Sequence, residues 1–248
     1  MTRRRLVFLF GVLSYLIFLI VILYAICFTG NLFITKSIDG NVQSSLAIAA
    51  FIDVLLIALF GVQHSLMARS AFKGWLARWI PEPVNRSVFV LCASLALILL
   101  FWQWRPIGGF VWNISGGWLH LGLEALFWVG WGMVILSTFL IDHFDLFGLR
   151  QVYLYLRGAT YTPVGFKEPV VYKYVRHPLM LSILIAFWST PQMSFGHFLF
   201  ASGMTVYILM GIHYEEKDLL ASYGETYRRY RHQVAMLLPW RKQPLSRQ

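Results

Sequence analysis

"LMLSILIAFWSTPQMSFGHFLFASGMTVYILMGI", residues Leu179 to Ile212, decides how the chain is read. A membrane helix needs about 20 apolar residues at 1.5 Å rise each, so this run is too long for a single crossing. It breaks at "STPQMSFG", Ser189 to Gly196, where Pro191 and Gly196 offer a turn. The stretch therefore predicts a helical hairpin with arms at residues 179–189 and 196–212.

Upstream, apolar runs at residues 6–28, 45–62, 87–104 and 119–141 predict four further spans. The expected fold is an all-α, polytopic membrane helix bundle of about six spans, forming one domain over residues 1–248. The first run follows Arg3-Arg4-Arg5, yet it is too long for a signal-peptide core and no A-x-A-like site ends it, so it reads as an anchor that stays. Composition agrees with a membrane protein. Of 248 residues, 58% are hydrophobic, 17% aromatic and 13% charged; a soluble domain carries roughly twice that charged fraction.

The net charge of +10 does not form one stripe, which argues against a nucleic-acid partner. Arg3 to Arg5, then Arg69, Lys73, Arg78 and Arg86, then Arg150, Arg157, Lys167, Lys173 and Arg176, and the basic C-terminal tail all fall on one side of the expected bundle. Lys36 and Arg105 alone fall on the other. The positive-inside rule then places both termini in the cytoplasm. Trp102, Trp104, Trp112 and Trp118 read as an aromatic belt at the opposite interface. Cys27 and Cys92 lack any metal or disulfide spacing and read as small core residues. No metal site and no obligate protein partner are indicated.

Two stretches are too specific for plain connectors. In "GIHYEEKDLLASYGETYRRYRHQVAMLLPW" the last span continues past the membrane. His213 and Glu216, and Glu215 and Asp218, each share a helix face. Tyr223, Tyr227, Tyr230 and Val234 form a stripe at helical spacing, and Gly224 within it either permits close backbone approach or marks a break. An amphipathic surface helix with Arg228, Arg229 and Arg231 solvated or on lipid phosphate is the simpler reading. It leaves Glu215 and Glu216 unexplained, because carboxylates at a membrane exit are costly and need partners. In "YKYVRHPLM", Tyr172 to Met180, Pro178 suits the first position of a helix, with Arg176 and His177 beside its free N–H groups. A cationic entrance and an anionic exit joined by one hairpin can embrace a zwitterion.

Together, "YKYVRHPLM", "EEKDLLASYGETYRRYRHQV" and "LLP" resemble the C-terminal signature of integral-membrane methyltransferases typified by isoprenylcysteine carboxyl methyltransferase. "FGVQHSLMAR", "PVNRSVFVL", "IDHFDLFGLRQVYLYLRG" and "AFWSTPQMSFGHFLFA" resemble the bacterial methanethiol S-methyltransferases, relatives of nurim. The resemblance implies a cytoplasmic S-adenosylmethionine site over residues 172–239. It assigns Tyr172, Arg176, His177, Pro178, Leu179, His213, Glu215, Glu216, Tyr223, Tyr227 and Tyr230 to that co-substrate, with Met180 where many relatives have Tyr. It further implies a bacterial inner-membrane enzyme with membrane lipids around it and a small volatile thiol as acceptor. A lipid or isoprenyl acceptor, an NADPH-dependent membrane reductase and a non-catalytic nurim-like protein are the rival readings.

An alkyl thiol is a poor nucleophile until ionised, and its intrinsic pKa lies above the ~8.5 of cysteine. The protein must bind the thiolate or remove the proton. Asp142, His143, Asp145 and Arg150 are the candidates, with His64 at the cytoplasmic end of the second span. Asp142 and Asp145 share a face if the helix continues; the simpler alternatives are packed histidines and a helix-end ion pair with Arg150. Asp53, near the middle of the second span, reads as a buried structural carboxylate.

Overall fold

The computed structural model describes residues 2–163 and 170–239. Lys167 and the basic tail beyond Pro239 lie outside them. The helices are α1 (Thr2–Gly30), α2 (Leu46–Ala68), α3 (Ser70–Leu76), α4 (Asn85–Gln103), α5 (Gly117–Ile141), α6 (His143–Leu146), α7 (Leu149–Arg157), α8 (Pro178–Trp188) and α9 (Phe195–Gln233). Two 3₁₀ turns (Glu82–Val84 and Val170–Lys173) and two short strands, β1 (Phe110–Asn113) and β2 (Gln192–Ser194), complete the set among the described residues. The protein is an all-α membrane bundle. Five helical segments are long and apolar enough to cross, and the shorter apolar α8 adds the first arm of the expected hairpin.

The chain divides into two compact units. The first contains α1 to α4, β1, α6, α7, β2 and the first turn of α9. Here α4 packs against α1 and α2, and α7 packs against α1. Close approach of α7 depends on Gly11, where an added Cβ would lie 2.5 Å from Val152 Cγ2. Val7, Val84 and Val152 form a buried cluster there. Elsewhere in the unit, Phe28, Trp104 and Phe200 interlock edge to face, an arrangement favoured by the ring quadrupoles, and Phe101 packs tilted on Phe28.

Trp104 departs from the expected aromatic belt. It is 1% exposed, and its Nε1 donates to the Ile38 carbonyl over 3.1 Å. It follows the last residue of α4 and turns inward, whereas Trp102 and Trp118 remain exposed. Cys27 and Cys92 are both half-buried free thiols.

Asp53 is fully buried, but not at mid-helix. It is in the second turn of α2, and its Oδ1 accepts the Arg105 backbone N–H over 2.9 Å. It satisfies backbone that α4 has just released, a structural role. The neighbouring loop is fastened by Asp39, which accepts hydrogen bonds from Asn31 and Ser194. Burial opposes the Asp39 charge, yet the neighbouring His197 imidazole and hydrogen bonds from Ser194 and Asn31 hold its carboxyl below the ordinary range. Ser194 also accepts the His197 backbone N–H and so caps the start of α9.

The β1–β2 ribbon was not expected from the sequence. Phe110 pairs with Ser194 and Asn113 with Gln192, antiparallel, with a bulge between Phe110 and Trp112. Each strand is a fragment inside a Pro/Gly-containing turn, too short to show a two-residue period.

The second unit contains α5, α8 and the rest of α9. α5 and α8 make its most extensive contact. Gly130 allows this, because a Cβ there would lie 2.7 Å from the Ala186 backbone nitrogen. Pro178 opens α8 at its first turn, as its missing N–H favours. Gly224 interrupts α9 with φ 52° and ψ −123°, and among the described residues nothing beyond its own stretch of helix lies within 4 Å of where its Cβ would be. Of its two readings, it is a break; nothing approaches it closely.

Candidate functional site

Beyond the Gly224 break, α9 returns its end to the R-H-P segment. Val175 and Ala235 form a parallel bridge; the Arg176 N–H donates to the Ala235 carbonyl (2.8 Å) and the His177 N–H to that of Met236 (3.2 Å). Tyr230 reinforces the return by donating its hydroxyl to the Tyr172 carbonyl at 2.7 Å. Tyr227, Tyr230 and Val234 are buried together, which is the stripe expected from their spacing; Tyr223 stays exposed.

This backbone arrangement builds a compact charge cluster on Glu216, which is 6% exposed. Arg176 approaches Glu216 Oε1 with Nε at 2.8 Å and Nη2 at 2.7 Å. His177 Nε2 lies 3.1 Å from the same oxygen, and Arg231 Nε lies 3.2 Å from Oε2. The remaining Arg176 amine donates to the carbonyls of Arg231 and Val234. His177 Nδ1 lies 3.5 Å from Glu215, whose side chain is 49% exposed. Burial opposes charge on the His177 imidazole, but its hydrogen bonds with Glu215 and Glu216 prevail and raise its pKa. The Tyr172 hydroxyl is pushed up by burial and by the nearby Glu215 carboxylate.

Arg176, His177, Pro178, Glu215, Glu216, Tyr172, Tyr227 and Tyr230 are thus gathered in one region of the second unit, and Leu179 follows in the first turn of α8. His213 is not drawn in: it is exposed, with an edge contact to Tyr214. Arg231 is the member that sequence reasoning left as a solvated or lipid-facing charge. Spacing alone could not reveal it, since its approach to Glu216 depends on the Gly224 break. A cavity of about 430 Å³ opens beside the cluster, lined by Arg176, Leu220, Arg228, Arg231 and His232.

The thiol-handling candidates lie in the first unit. The helix does not continue through them as the shared-face expectation required. α5 stops at Ile141, Asp142 is extended, and its Oδ1 caps α6 by accepting the Asp145 N–H over 3.1 Å. Asp145 in turn holds Arg150 at 2.8 Å and accepts the Tyr161 hydroxyl at 3.2 Å. The ion-pair alternative for Asp145 and Arg150 is therefore realised. Arg150 also donates to the Thr162 carbonyl, fixing the segment after α7.

His143 is buried against Phe144 and Phe147, and its Nε2 shares a 2.6 Å hydrogen bond with the Tyr15 hydroxyl of α1. Burial lowers its pKa below the ordinary imidazole value, which favours the uncharged ring. Tyr15 carried no sequence signal, sitting alone in an apolar run. His64 packs its ring on Phe89 of α4, 4.7 Å between centroids, and is within electrostatic range of Arg86. Arg86 had been counted only as an orienting loop charge.

No protein-family model matches the chain, and no solved structure does. The chain is 52% identical to a methanethiol S-methyltransferase of Crocosphaera subtropica over 96% of its own length and 93% of the relative. It is 48% identical to a methanethiol S-methyltransferase of Mycobacterium tuberculosis, over 96% of this chain and 98% of that protein. Mouse nurim is more distant, 31% identical over 73% of this chain and 70% of nurim. With similarity of this depth along nearly its whole length, the chain belongs to the methanethiol S-methyltransferase family.

Proposed function

We propose that the protein methylates methanethiol with S-adenosylmethionine, forming dimethyl sulfide and S-adenosylhomocysteine, in the bacterial cytoplasmic membrane with both termini inside. The observation that carries this reading is the Glu216 cluster. Two guanidinium groups and the His177 imidazole converge on one buried carboxylate beside a half-exposed second carboxylate, Glu215. Opposed charges in one place suit a zwitterionic amino-acid moiety: Arg176 and Arg231 would receive its carboxylate, and Glu215 its ammonium. The adjoining cavity of about 430 Å³ falls in the usual ligand-site range of about 300–1,000 Å³. When bound, the sulfonium supplies an already activated methyl group, so no leaving-group acid is needed.

What this chain adds is the acceptor's ionisation. Among the candidates, His143 is held in place by its hydrogen bond with Tyr15, and burial favours its uncharged, proton-accepting form. Asp142 and Asp145 are engaged in shaping α6 and fastening Arg150, so they position the segment and leave proton transfer to the imidazole. His64 stands with Arg86 at the start of α4. A dry setting favours reaction between thiolate and sulfonium, since their charges neutralise in the transition state.

The test is headspace gas chromatography of membranes containing the protein, given methanethiol and S-adenosylmethionine. Dimethyl sulfide should form, and formation should fall in Glu216→Ala and His143→Ala. No product from folded protein, activity only with NADPH, or preference for a long-chain thiol would overturn the proposal.

A further inference from the structure

We infer that Arg86 holds the acceptor sulfur as a thiolate, in a subsite walled by Phe89 and His64. This rests on the reaction proposed above and names the group that keeps the ionised acceptor in place.

Arg86 lies in the first turn of α4, half-buried. Its Nε donates to the Leu146 carbonyl over 2.6 Å. Gly148 makes that contact possible: with φ +89° it turns the chain between α6 and α7 so tightly that a Cβ would lie 2.9 Å from Ser87 Oγ. The guanidinium makes no carboxylate ion pair among the described residues. The charged and titratable groups around it are otherwise committed. Asp145 and Tyr161 act on it electrostatically, but Asp145 is engaged by Arg150 and Tyr161. Asp142 caps α6, and Glu82, one turn earlier, is exposed. His64, from α2, is the remaining titratable neighbour.

A partly buried guanidinium with no directly paired carboxylate favours a small anion beside it. Among the described residues, Gln63 Oε1, Asn85 Oδ1 and Ser87 Oγ, sequence neighbours of His64 and Arg86, are buried without hydrogen-bond partners. Such orphaned polar groups mark places that a ligand or water completes.

The chemistry of the site suits a small, soft anion. The Arg86 guanidinium lies 5.0 Å from the Phe89 ring centroid, and the His64 ring 4.7 Å from the same ring. A guanidinium is weakly hydrated and yields its water readily, and sulfur packs well against aromatic edges. In the reaction, the thiol's S–H bond breaks and its proton goes to the imidazole assigned above. The thiolate pair forms the new C–S bond to the donor methyl, and the pair of the broken C–S bond stays on the donor sulfur, leaving two neutral thioethers. Arg86 is unchanged and no longer faces an anion, which favours product release.

The experiment is equilibrium dialysis of ¹⁴C-methanethiol against detergent-solubilised protein without donor, in sealed cells, with micelles alone as blank. Retention by the wild type should rise between pH 7 and pH 10 as thiolate forms. Arg86→Gln should weaken it about ten- to hundredfold, the size expected for losing one hydrogen bond to a charged group. Donor affinity should stay unchanged, and the pH at which kcat/KM rises should move up toward that of the free thiol. Arg86→Lys should recover part of the loss, and His143→Ala should leave retention intact. Retention that is flat with pH in the wild type, or equal in folded Arg86→Gln, overturns the inference. If Arg86→Gln does not fold, the wild-type pH dependence decides. Arg86-dependent retention with no dimethyl sulfide formed would keep the thiolate site and reject the reaction.

Discussion

Replacing Glu216 with alanine should disturb both folding and donor binding, and the structure sets the size of the first effect. The carboxylate is buried, with Arg176 and His177 side chains only 9% and 5% exposed around it. Removing one partner of such a pair strands the other charges and costs about 3–5 kcal/mol. Arg231 adds little, because its side chain is 49% exposed and surface pairs contribute ~0–1 kcal/mol. For a chain of this length each kcal/mol moves the melting midpoint by ~2–4 °C, so the midpoint in detergent should fall by about 6–20 °C. Glu216→Gln, which keeps the shape and one acceptor oxygen, should lose less. The penalty should also depend on pH. The pKa of His177 is raised in the folded protein, so its contribution is fully present below the unfolded value of about 6.5 and is lost as pH rises through the folded value. Thermal unfolding followed by circular dichroism at pH 6 and pH 9 measures this. An unchanged midpoint at pH 6, or a penalty that grows toward pH 9, would refute the ion-cluster reasoning.

Gly224→Ala should cost about 1–3 kcal/mol from backbone strain alone, since φ 52° and ψ −123° suit glycine and the surrounding space is open; calorimetry in detergent checks it, and donor affinity should fall with it. Gly130→Val should be worse than Gly130→Ala, because even one Cβ meets the Ala186 backbone, and overpacking costs roughly 1–3 kcal/mol; equal melting midpoints for the two would contradict this packing. Tyr15→Phe removes a single hydrogen bond, a loss of about 0.5–1.5 kcal/mol in stability. It should lower kcat at pH 7 with little change in donor affinity, and add nothing to His143→Ala in the double variant.

Much of the molecule was legible in the chain. Apolar run length and the Pro191 break specified helices and the hairpin, because membrane thickness and backbone hydrogen bonding leave few other choices. Arg176, His177, Glu215 and Glu216 stood out because charge at a helix end needs a partner. Their meeting was foreseeable in kind, though His213, on the same side by spacing, stayed outside it. Other features were decided only in three dimensions. Arg231 joins Glu216 because glycine backbone geometry reverses the chain at Gly224. Trp104 is core because the loop containing Ile38 supplies an acceptor for its N–H. Tyr15 meets His143, and Arg86 meets Leu146 and stands within range of His64, across sequence gaps that no helical period spans. Periodicity records which face of one helix is apolar. Which polar group on another element completes that face depends on helix packing, and small residues such as Gly11 and Gly148 fix that packing by letting backbones approach.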